Sequence, residues 1–317
     1  MDCGLRIEKQ LRVRAVEPFN PTQIPQSAIH NSAMTPSDIL AAEDARRRFA
    51  EEVSPAERPV NLASAALLIA AEEEPRRCDV DACLGRLSEM GAQARRRVAA
   101  AGAGREVEAL NLYLFGELGF AGNISDYYDP RNSLLHRVLE RRTGIPITLS
   151  IVYMEVGQRA GLFVEGVGLP GHYLVRAAAP GGEPVLVDPF NGRTTDVEEC
   201  QQRLDLIYGG QVALGEEHLR ETGTRATLAR VLGNLKAIYA KANLHRRALA
   251  AVERILILSP HDLEERRDRG LLLAQLGRLP EAIADTRRYL NQRPDASDAD
   301  SVRDQLRKMH ARLAQLN

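Results

Sequence analysis

A chain of 317 residues has room for one large domain or two ordinary ones, and its 44% apolar and 27% charged residues suit a globular protein. Its formal net charge of −1, its 4% aromatics and its lack of Trp exclude a basic nucleic-acid footprint and a base-stacking platform. The longest apolar run, 62-LASAALLIAA-71, is too short to span a bilayer, and no apolar segment marks a leader, so no membrane contact and a cytoplasmic location are expected.

Residues 1–35 carry spaced prolines (18-PFNPTQIPQS-27) without an apolar period and read as a disordered or extended arm; Met34 offers a later start. Residues 36–116 read as helices. The segments are 38–53, 60–74 ending before Pro75, 79–101 with Leu84, Leu87, Met90, Ala94 and Val98 on one face, and 105–119. Next, 126-DYYDPRNS-133 reads as a turn feeding a helix capped by Asn132 or Ser133 and stopping at Gly144. A helix over 146–161 follows, with Pro146 in its first turn and Gly161 as its stop. The period then changes to two, predicting strands over 163–169, 172–178 and 184–190 before a short helix over 195–208. A buried helix followed by an antiparallel meander is an α+β arrangement.

Residues 223–317 read as a separate helical domain. Ala248/Ala282, Leu256/Leu290 and Pro260/Pro294 repeat at 34 residues, the tetratricopeptide period, and a last helix near 298–315 caps the array. The division expected is therefore 1–35, 36–222 and 223–317, with a protein or peptide partner engaged by 223–317. The oligomeric state is open.

Chemistry concentrates in 170-PGHYLVR-176 and 186-LVDPFNG-192. His172 and Asp188, each in a strand-like run, make the base and the orienter of a nucleophile–base–orienter triad. The nucleophile belongs at the start of the 146–161 helix, where the helix dipole favours a thiolate, but that place holds Gly144, Ile145 and Pro146. The nearest hydroxyls are Thr148 and Ser150. A polar cluster of Asn123, Asp126, Tyr127, Asn132 and Ser133 precedes the helix and is expected to line a pocket or to form turns and caps. Cys3, Cys78, Cys83 and Cys200 have neither redox nor zinc spacing and read as reduced thiols; no metal site and no cofactor are expected.

The blocks 119-GFAGNISDYYDPRNS-133, 144-GIPITLS-150, 166-GVGLPGHYLVR-176 and 188-DPFNG-192, with the repeat tail, resemble the transglutaminase-like core of the bacterial SirB-type family. The resemblance implies a papain-like α+β core with an N-terminal helical region and a C-terminal tetratricopeptide array. It also implies that His172 and Asp188 are the carried-over pair and that the family fold's usual Cys is missing. Three readings stay open: a nucleophile-lacking binding or regulatory module, an unusual hydrolase or acyl transferase using Thr148 or Ser150, and a scaffold without a working pocket.

Overall fold

The computed structural model describes residues 35–54 and 59–316. The arm expected over 1–35 lies, Thr35 apart, outside the described residues. Inter-residue contacts divide the chain into two units between Val231 and Leu232, inside a helix and beyond the 222/223 position that the sequence suggests.

In the amino-terminal unit, α1 (Pro36–Glu52) starts on a reciprocal cap in which the Thr35 hydroxyl and the Asp38 carboxylate each accept from the other's backbone. Helix α2 (Leu62–Glu73) is apolar on all sides and buried from Ala65 to Glu72. Helix α3 (Val80–Ala100) buries Leu87, Met90, Ala94 and Val98 of the face its spacing predicts, with Leu84 partly buried, and lies against the core helix over Pro146–Ala160. The helix expected over 105–119 is instead a short α4 (Glu106–Asn111) continuing as a π-helical turn over Leu112–Glu117. The wider turn accompanies a stack of Phe115 on Tyr153, with ring centres 5.9 Å apart.

Two elements went unseen in the sequence because they are only two residues long. They are β1 (Ala121–Gly122) and β2 (Thr143–Gly144), which pair in parallel. Between them, α5 (Leu135–Arg141) ends on Arg142 in the left-handed region at φ 56° and so stops short of Gly144. Helix α6 (Pro146–Ala160) is the core: every residue from Pro146 to Gly157 is buried, and Gly161 closes it at φ 96°, a conformation glycine adopts without steric cost.

Four antiparallel strands follow in the order β3 (Phe163–Val167), β4 (Leu174–Ala178), β5 (Val185–Asp188) and β6 (Arg193–Thr195). The fourth strand was not expected from the sequence, and it takes in Thr195, where the short helix was expected to begin. Helix α7 (Val197–Tyr208) is capped by Asp196, and α8 (Thr224–Lys241) begins in this unit. The result is the α+β core expected.

The unit from Leu232 is all helical: the end of α8, α9 (His245–Leu258), α10 (Leu263–Gln275), α11 (Leu279–Gln292) and α12 (Ala299–Ala314). The small residues of the 34-residue period do the close packing. Ala248 and Ala282 are fully buried, and a β-carbon on Gly270 would sit 2.8 Å from the Thr286 hydroxyl across the α10–α11 contact.

Candidate functional site

The base side is built by two turns and two helices. His172 is not in a strand as expected; it sits in the turn before β4. Its backbone N–H donates to the Leu169 carbonyl at 3.2 Å. The Arg230 Nη2 group, from α8, holds the same turn by donating to the carbonyls of Leu169 (2.7 Å) and His172 (2.6 Å). Asp188 closes β5, where the chain turns back, and its carboxylate organises that turn. Oδ1 accepts from the backbone of Phe190 at 3.0 Å and Asn191 at 3.2 Å, while Oδ2 accepts from Asn191 Nδ2 at 2.7 Å.

His172 Nε2 and Asp188 Oδ2 are 2.9 Å apart, both residues only 3% exposed. Burial alone would raise the Asp188 carboxyl, but the hydrogen bond from His172, the Asn191 amide and the Arg203 guanidinium bring it down to about 2. Burial pushes the His172 pKa below its ordinary value against the opposing pull of Asp188, and the charges of Arg203 and Arg230 push the same way as burial. The lowered pKa favours the uncharged ring, in which Nε2 donates to the carboxylate. That leaves Nδ1 as a buried lone pair with no partner among the described residues.

The nucleophile side is different. The start of α6 presents Ile145 and Pro146, and the Thr148 hydroxyl is occupied there. It donates to the Asn132 carbonyl at 2.7 Å and accepts from the Ile145 N–H at 3.2 Å, fastening the helix start. Ser150 is fully buried, and its hydroxyl has no partner among the described residues. Neither hydroxyl is hydrogen-bonded to His172. Cys200 packs in an apolar cluster with Val167, Leu169 and Leu174, and burial raises its thiol to about 11.

The polar cluster separates into two roles. Asn132 Nδ2 donates to the carbonyls of Asp126 (2.7 Å) and Tyr127 (3.2 Å), and Asn123 Nδ2 donates to Asn132 Oδ1 (3.1 Å). Asn123 Oδ1 in turn accepts from the Asp126 backbone at 3.0 Å, so these residues clasp their own loop. Neither Asn132 nor Ser133 caps a helix. Asp129 caps the 3-10 turn Pro130–Ser133, α5 has Leu134 at its N-cap position and no side-chain cap, and the Ser133 hydroxyl is buried without a partner among the described residues. Tyr127 is the member that reaches the base side. Its ring packs edge-on against Phe190 at 6.0 Å, and Phe190 against His172 at 6.4 Å. Burial lifts its phenol to about 12. Gly122 leaves room for Phe190, since a β-carbon there would lie 2.5 Å from the ring.

Arg203 and Arg230 are the site residues that the sequence did not reveal. Arg203 Nη2 reaches Asp188 Oδ2 at 3.3 Å from α7. Both arginines lie on helices separated from the motif blocks, so no local signal marks them. Among the described residues no group of three His, Cys, Asp or Glu side chains is placed to hold a metal, and no helix is long and apolar enough to cross a membrane.

Comparison with known proteins agrees with this architecture. The transglutaminase-like superfamily matches residues 81–233, and a tetratricopeptide repeat family matches 235–307. A UPF0162 protein of Xylella fastidiosa (strain 9a5c) is 44% identical over 206 residues, covering 63% of this chain and 73% of that one. Protein SirB1 of Salmonella typhimurium is 28% identical over 201 residues, 63% of this chain and 75% of its own length. Mouse F-box only protein 21 is 33% identical over 141 residues, 42% of this chain but 21% of its own length. No solved structure matches.

Proposed function

The chain belongs to the SirB-type family that includes the UPF0162 proteins and SirB1, and on that premise we propose that it is a binding and regulatory module, not a nucleophile-dependent enzyme. One observation carries this reading. The base half of a cysteine-type site is intact in His172 and Asp188, while the helix start opposite carries Pro146 and a Thr148 hydroxyl already bonded to Asn132. A hydroxyl has a far higher pKa than a thiol and needs a base in hydrogen-bond reach, and none is provided. The tetratricopeptide unit is the part suited to a protein partner, because stacked helix pairs offer a concave surface for a peptide or helix.

Restoring the thiol tests the idea. In Pro146→Cys, the introduced thiol should react with iodoacetamide at pH 6 about tenfold faster than in the same variant carrying His172→Ala, because His172 would stabilise the thiolate. In the unmodified chain, ester or amide turnover that disappears with His172→Ala would sink the non-catalytic reading. Cross-linking of the full-length chain in cells should map its protein partner to residues 232–316; cross-links confined to the amino-terminal unit would remove the repeats from the reading.

A second reading, a serine hydrolase, has one observation in its favour: the Ser150 hydroxyl is buried and unbonded. Covalent labelling of Ser150 by a fluorophosphonate would establish it.

A further inference from the structure

Arg230 is mostly buried, its guanidinium faces the ring of Tyr173 at 5.3 Å, and burial pulls its pKa down. A buried arginine is ordinarily matched by a carboxylate. Arg230 has none among the described residues: Nη2 is spent on the Leu169 and His172 carbonyls, and Nη1 and Nε donate to no protein group. The charges that bear on it are the phenols of Tyr173, Tyr127 and Tyr208.

The groups around His172 share this excess of unpaired donors. Arg203 spends Nη2 on Asp188, and its side chain remains 30% exposed, open to solvent. Among the described residues the Tyr127 phenol accepts and donates no hydrogen bond, and both guanidiniums act on it, as they do on the imidazole. The charged and titratable groups facing His172 are thus Asp188 from β5, Arg203 from α7, Arg230 from α8 and Tyr127 from the loop after β1. Two guanidiniums against one carboxylate leave the site net positive even with the ring neutral.

We propose that this cluster is an oxyanion-binding site, in which Arg230, Arg203 and Tyr127 donate to a ligand carboxylate or phosphate beside His172. The proposal rests on the reading of the chain as a binding module and supplies its ligand class. Guanidinium forks match the paired oxygens of both anions, which makes the two sources chemically equivalent at this point. The anion also has a consequence for the ring. Both arginines disfavour the imidazolium, so an anion that offsets them raises the His172 pKa, and on protonation the unpartnered Nδ1 becomes a donor facing a negative ligand. Binding therefore takes up a proton, and by linkage affinity weakens with rising pH, by at most about tenfold per unit, between the titration points of the free and the bound ring.

The test uses the full-length chain with nitrogen-labelled histidine, whose ring signals report protonation and tautomer. Sodium acetate and potassium phosphate are titrated at ionic strength matched with chloride. The expected result is that one or both anions, and not chloride, move the His172 signals towards the imidazolium pattern, with the pH dependence above. A response to acetate alone identifies a carboxylate ligand, and to phosphate alone a phosphate. Arg203→Gln should abolish the response. Tyr127→Phe keeps the aromatic packing and should weaken binding several-fold, which guards against Arg230→Gln failing to fold through loss of its carbonyl bonds. A His172 spectrum indifferent to both anions, equally responsive to chloride, or unaltered in its response by Arg203→Gln overturns the proposal. The turnover assay is independent: a chain without turnover and without an anion response keeps the binding-module reading and loses this site.

Discussion

The two halves of the candidate site have had opposite fates. On the base side, each polar atom of Asp188 is engaged: its two oxygens receive His172, two backbone N–H groups, an amide and an arginine. On the helix side, the groups that would do chemistry serve the fold: Pro146 starts the helix, Thr148 ties it to Asn132, and Ser150 is sealed in. Orientation alone is therefore no sign of catalysis. A buried histidine–carboxylate pair that anchors two turns is held in place by its own hydrogen-bond demands, whether or not a nucleophile faces it.

Breaking each half separately measures that difference. Asp188→Ala removes a buried carboxylate and strands its donors; a loss of about 3–5 kcal/mol in a urea titration is expected, well above the loss from any change on the helix side. The same carboxylate makes the unit acid-sensitive. Its folded pKa of about 2 lies below the ordinary 3.8, so its contribution is complete above pH 3.8 and disappears as pH falls through 2, amounting to about 2 kcal/mol. Asp188→Asn should flatten that part of the acid-unfolding curve. On the helix side, Thr148→Val should cost about 1–2 kcal/mol, with Thr148→Ser recovering most of it; full stability in the valine variant would mean that the hydroxyl is not structural. Gly161→Ala at the other end of α6 meets open space and suffers only backbone strain, about 1 kcal/mol. The exposed Arg303–Asp300 pair in the repeat unit should be silent in the same measurement.

Elements with a strong period were legible in the sequence. The α3 stripe, the Pro146-to-Gly161 bounds of α6 and the 34-residue repeat are each carried by several residues obeying one spacing. His172 and Asp188 were legible because motif blocks surround them. What was lost had no local pattern. The β1–β2 pair is too short to show alternation, and Arg203 and Arg230 are two arginines among many until tertiary folding brings them to one ring. The cap expected at Asn132 or Ser133 failed because Asp129, three residues earlier, takes the capping position and Asn132 turns to clasp Asp126 and Tyr127.

The Arg230 clamp on the His172 turn sets a timetable for folding. Its bonds join residues 58 and 61 positions apart in the chain, whereas each helix pair of the repeat unit closes within a few dozen residues. Distant contacts form only after the costly closure of the loop between them. The repeat helices are thus the faster-assembling part, and the turn holding His172 is fixed later. In a refolding experiment, protection of the His172 backbone amide should trail that of α10 and α11, so that the site is completed only on a scaffold already assembled.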